Sequence, residues 1–155
     1  MQATKQSLTL DLATAVDFFK TDLVAQELPF LRIFPSNSCE SVSTLLGAAL
    51  ADKYCYSQVV RVHGRTRSDA QHLWLEVDDH AVDATAHQFP DYADPFVCSA
   101  PSPLEKTFPD VERLTAKDAL AKLELSFLRV NGSVRDALIA RLRSRLGEAT
   151  EGSAT

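Results

Sequence analysis

Apolar positions along the chain change period several times, and each change marks an element. Leu8, Leu12, Val16, Phe19 and Leu23 recur at helical spacing, which predicts a first helix over residues 9–27 with Thr9 or Asp11 as its cap and Pro29 as its stop. Val42, Leu46, Ala49 and Leu50 repeat that spacing and predict a second helix over residues 37–54, in which Gly47 permits close approach of a neighbouring element. From Ser57 to His63 the pattern alternates and is rich in valine, so a first strand is expected there, followed by a polar loop over residues 64–70. His72 to Val77 and His80 to Thr85 form two further strands, and Asp78-Asp79 between them has the length of a two-residue hairpin turn.

The second half is less regular. Five of the chain's seven prolines fall between Pro90 and Pro109, around a short apolar run, Pro95-Phe96-Val97-Cys98, that suits an edge strand. A long irregular segment in a compact domain serves either as the wall or lid of a site or as a connector packed over the core, and both readings stay open. Thr115-x-x-Asp118 and Ser133-x-x-Asp136 have the form of N-terminal caps and predict two more helices, the second continuing through Leu138, Leu142 and Leu146. Residues 147–155 are small and polar, which predicts a flexible tail (148–155) beyond a single domain of residues 1–147.

With 155 residues, 45% of them hydrophobic, the chain has material for one ordinary core. The expected class is α+β, with helices packed on one side of a small, mainly antiparallel sheet. A net charge of −5 argues against a nucleic-acid surface, which needs a concentrated positive patch. Arg135, Arg141, Arg143 and Arg145 are expected to form a solvated helix face. No apolar run approaches the roughly 20 residues that span a bilayer, and the N-terminus lacks the basic-then-apolar pattern of a signal peptide. The three cysteines, Cys39, Cys55 and Cys98, cannot all pair within one molecule, and none has Cys-x-x-Cys spacing. The expectation is a cytoplasmic protein in a reducing compartment, with delivery into another cell left open. It includes no cofactor, no metal and no membrane partner, and leaves the oligomeric state unspecified.

Chemistry enters with the hairpin. A two-residue turn sets Trp74 opposite Asp83, and His72 then falls on the same face one diagonal step away, about 7–8 Å at the backbone. An imidazole and a carboxylate at that spacing make a base with an orienting group. Upstream, Asn37 or Ser36 as N-cap, with Glu40 close behind, puts Cys39 in the first turn of the second helix. Free amides and the helix dipole favour a thiolate there.

Cys39 opening a helix, His72-x-Trp74-x-Glu76 on one strand and Asp83-x-Thr85 on the next resemble the transglutaminase-like branch of the papain-related cysteine hydrolases. The resemblance spans roughly residues 34–89, about a third of the chain. It implies Cys39 as nucleophile, His72 as general base and acid, and Asp83 as the group orienting the ring. It further implies a papain/transglutaminase-like core and a thioester intermediate, with peptidase or deamidase action on a peptide or protein substrate. The chain departs from the papain branch in having no glutamine between Pro29 and Ser38. The oxyanion is then left to the Cys39 amide and a second donor, for which Asn37, Gln26 and Trp74 are the candidates, with Gln88 as further support. The competing expectation is a catalytically inactive peptide- or protein-binding module on the same fold, an inhibitor or antitoxin included. Cys55 and Cys98 read as packing residues and Glu76 as solvated, while His63, His80 and His87 have no partner visible in the sequence. A metal site built from Cys39, His72 and Asp83 lacks a short chelating pair.

Overall fold

The computed structural model describes residues 1–123 and 132–152. Its first helix, α1 (Lys5–Thr21), starts at Lys5 rather than at residue 9, because Thr4 and Ser7 form a reciprocal cap. The Thr4 hydroxyl accepts from the Ser7 amide at 3.1 Å, and the Ser7 hydroxyl accepts from the Thr4 amide at 3.0 Å. The helix also stops sooner than expected. Asp22 turns its carboxylate onto the amides of Val24 and Ala25 and so opens a separate short helix, α2 (Leu23–Glu27). Pro29 then begins α3 (Pro29–Arg32), a position where its missing N–H costs nothing.

Helix α4 (Cys39–Lys53) begins at Cys39 rather than at residue 37, since Asn37 sits in left-handed backbone at φ 51°. Neither Asn37 nor Ser36 caps it. The N-cap is Ser38, whose hydroxyl donates to the Pro35 carbonyl at 2.9 Å and leaves the helix without a side-chain cap. Every residue from Ser41 to Gly47 is buried, so α4 is a central helix rather than an amphipathic surface one. A Cβ at Gly47 would stand 3.1 Å from the Leu75 side chain, which is why glycine there lets α4 lie close on the sheet.

Five antiparallel strands follow: β1 (Val59–Arg65), β2 (Gln71–Val77), β3 (His80–Asp83), β4 (Phe96–Ser99) and β5 (Asp110–Thr115), in the order β4-β3-β2-β1-β5. Pairing of Leu75 with Val82 and of Val77 with His80 fixes the two-residue turn, and Asp78 adopts the left-handed conformation it needs, φ 52°. Gly64 and Arg65 belong to β1 rather than to a loop, Thr85 lies beyond the end of β3, and β5 is an additional strand. Thr115 caps α5 (Ala116–Ala121) by accepting from the Asp118 amide at 3.1 Å. The last helix, α6 (Gly132–Gly152), begins one residue before the expected cap Ser133 and runs through Gly147, so the chain does not leave the helix there. The end of the expected tail, residues 153–155, lies outside the described residues.

The sheet separates two apolar clusters, so both of its faces are covered. On one side Leu75, Val77 and Val82 pack with α1, α4 and α6 in the main core. On the other, Val62 and Trp74 pack with Ala86 and, from the proline-rich segment, with Leu104 and Phe108. That segment is therefore a second layer over the sheet. Buried Asp11, expected as a possible cap, instead joins helices: its carboxylate accepts from the Tyr54 hydroxyl at 2.5 Å and from Lys53 at 2.6 Å. Burial, then that bond, raises the Tyr54 pKa. The C-terminal arginines are ion-paired rather than merely solvated: Arg141 with Asp22, Arg143 with Asp52 and Arg145 with Asp17. Among the described residues no helix is long and apolar enough to cross a membrane.

Candidate active site

Hairpin register decides the first contact. One step beyond the Leu75–Val82 pair, Asp83 comes opposite Trp74, and its Oδ2 lies 2.7 Å from His72 Nε2. Both side chains are fully buried. The other carboxylate oxygen accepts from the Thr85 amide at 3.0 Å, which fixes the acid against rotation.

The second contact comes from where β3 stops. β3 pairs only with Leu75 to Val77, so among the described strands Gln71 to Trp74 have a partner on the β1 side alone. The head of α4 stands beside this notch, and Cys39, Ser43, Trp74 and Thr85 line a cavity of about 10 Å³ there, room for roughly one water. Cys39 is half-buried and opens α4, where its backbone amide has no intrahelical acceptor and no side-chain cap.

Burial alone disfavours the imidazolium of His72. Hydrogen bonding to Asp83 and Cys39, with the charges of both, outweighs it and raises the pKa to about 9 from the ordinary 6.5. The ring is therefore charged at neutral pH. Nε2 serves Asp83, so Nδ1 is the nitrogen left for the thiol. Among the described residues the Nδ1 contact that meets hydrogen-bond geometry is the Gln88 amide, at 3.4 Å, with the looser thiol contact beside it. A proton on Nδ1 requires that amide to present its oxygen.

Three aromatic rings wall the imidazole: Trp74 with ring centroids 5.8 Å apart and near-parallel, Phe89 edge-on at 4.8 Å, and Phe108 at 5.7 Å. Gly64, the β1 partner of His72, makes the third wall possible, since a Cβ there would come within 2.7 Å of the Phe108 backbone oxygen and side chain. Arg113 ties the layers together by binding Glu76 of β2 at 2.9 Å and Glu105 of the 3-10 turn Pro103–Lys106 at 3.1 Å. Glu76 is thus paired rather than solvated.

The structure brings Cys39, His72, Asp83, Trp74 and Gln88 together, with Gln88 carried by the 3-10 turn Ala86–Gln88. Asn37 is exposed, and the Gln26 amide donates to the Phe19 carbonyl at 2.8 Å. Phe89, Phe108, Gly64 and Arg113 are indicated by no motif in the sequence. His63 lies 2.6 Å from Gln71, His80 lies 3.0 Å from Asp79, and His87 packs on Phe34. Cys98 is half-buried, and burial raises its pKa, whereas Cys55 is exposed and not a packing residue. No group of three potential metal ligands occurs among the described residues.

Comparison with family models, with curated proteins and with solved structures finds no match for this chain.

Proposed function

We propose that the chain is a cysteine-dependent amide hydrolase or acyl transferase that works through a Cys39-His72-Asp83 triad, acting on a peptide or protein as a peptidase or deamidase. The observation that carries this is the buried His72–Asp83 pair at 2.7 Å, with the Cys39 thiol acting on the same ring. A buried, charged imidazolium between a carboxylate and a thiol is costly to maintain for packing alone and suits a thiolate–imidazolium nucleophile. On this reading α4 with β1, β2 and β3 corresponds to a papain/transglutaminase-like core, in keeping with the motif resemblance.

In the reaction Cys39 Sγ attacks the amide carbonyl, and the C–N bond breaks as His72 Nδ1 passes its proton to the departing amine. The acyl group is left as a thioester. Water, deprotonated by the now neutral ring, releases the acid and regenerates the thiol. The oxyanion rests on the free Cys39 amide. Trp74, whose Nε1 is buried and without a partner among the described residues, lines the cavity at Cys39 and is the further donor there, while Gln88 supports the ring of His72.

Full burial of His72 favours one other reading, a peptide-binding module that keeps the constellation without turnover. Two measurements separate them. Iodoacetamide should label Cys39 in preference to Cys55 and Cys98 below about pH 8, with the preference lost in His72→Ala. Intact masses of glutamine-rich and mixed peptides after incubation should show cleavage or a gain of about one dalton that Cys39→Ala abolishes. Equal, slow labelling with unchanged peptides selects the module.

A further inference from the structure

We infer that the groove between α1 and β4 seats an extended, acidic stretch of the peptide substrate as a strand added beside β4, an inference that rests on the hydrolase reading and names its substrate class. β4 ends the sheet: β3 pairs with one of its edges, and no described strand pairs with the other. Unpaired backbone groups on such an edge are a template for another strand. Alongside lies an open groove of about 430 Å³, its apolar surface made by Leu12 and Val16 of α1 with Phe96 and Val97 of β4. Its α1 side runs from Thr9 to Lys20. Those eleven steps are about 16 Å of helix, the length of about five residues of strand.

Charge selects the occupant. Asp17 on the groove wall is neutralised by Arg145 at 2.8 Å, while no carboxylate among the described residues forms an ion pair with Lys20. The groove therefore presents one uncompensated positive charge, which suits a carboxylate on the incoming strand. Alternate apolar side chains of that strand reach Leu12 and Val16.

Lys20 also marks the end nearest the triad. Phe96 pairs with Asp83 across the β3–β4 ladder, and His87, whose ring lies 5.4 Å from that of Phe34 on the segment leading into Cys39, feels the charge of Lys20 together with the opposing charges of Asp83 and Asp94. Phe96 is thus the groove residue that stands beside the triad's Asp83. Edge, groove and charge thus converge on one path.

The test uses Cys39→Ala protein and two fluorescein-labelled peptides of alternating valine and threonine, one with a glutamate and one with a lysine at the same position, titrated by fluorescence anisotropy. The glutamate peptide is expected to bind about fivefold more tightly, the scale of one exposed ion pair, and Lys20→Glu is expected to reverse the order. Ala13→Gln, on the exposed face of α1, should weaken both by occupying the groove without reaching the core. Absence of binding, equal binding of the two peptides, or an order unmoved by Lys20→Glu overturns the inference. Cys39 alkylation in otherwise wild-type and Lys20→Glu proteins keeps the two readings apart. Unselective labelling counts against the hydrolase, whereas selective labelling without charge reversal counts against the groove alone.

Discussion

His72 holds a charge in a place where burial opposes it, and that gives the protein a pH signature. Its pKa of about 9 in the fold exceeds the ordinary 6.5. A group whose pKa rises on folding adds its full stability below the lower value and loses it as pH passes the higher one. Denaturation midpoints should therefore fall between about pH 6.5 and 9, and a His72→Gln variant should lack that step; parallel curves for the two proteins would contradict it. Turnover should decline above about pH 9 as well, because the same proton goes to the leaving amine. Gly64 permits a second residue-scale prediction. Gly64→Ala forces a Cβ against the Phe108 backbone and should cost about 1–3 kcal/mol in a chemical denaturation series. Trp74, the chain's one tryptophan and also in contact with that site, should report the displaced wall by a shift in its emission.

At the scale of elements, legibility followed local regularity. The two-residue period of a strand over Gln71–Val77 and a turn of fixed length made the His72–Asp83 meeting readable, since period and register determine which side chains share a face. Boundaries set by competing caps were not readable. Thr4 and Ser7 outcompete Thr9 at one end of α1, and Asp22 breaks the periodic stripe at the other by capping α2. β5 escaped notice because it is an edge strand with a largely exposed face and only Val111 and Leu114 to signal it. The aromatic wall escaped for a different reason. Phe89 and Phe108 reach His72 through tertiary packing that no short period encodes. The cap can be tested by itself: Asp22→Ala should lower stability by about 1–2 kcal/mol, and Asp22→Asn, which keeps an acceptor but loses the Arg141 ion pair, by clearly less. Thermal melts showing equal losses would assign the effect to the ion pair.

The whole molecule is a sheet between unlike layers, helices on one face and a proline-rich cover on the other, with the candidate triad where a strand ends and a helix begins. The helical side is sealed by hydrocarbon and by the buried Asp11 contacts, which solution conditions reach poorly. The cover is held differently. Its second cluster is small, and Arg113, 39% exposed, clasps it through Glu76 and Glu105. Exposed ion pairs weaken with salt, and the Debye length shrinks to about 3 Å at 1 M. Raising sodium chloride from about 0.05 to 1 M should therefore quicken exchange of the Phe108 amide, seen by NMR, while amides of α4 stay protected; uniform exchange would remove the distinction. The two faces then answer to different agents, so the ionic strength of the surroundings acts as a dial on access to the imidazole, set from outside without a change in any reacting atom.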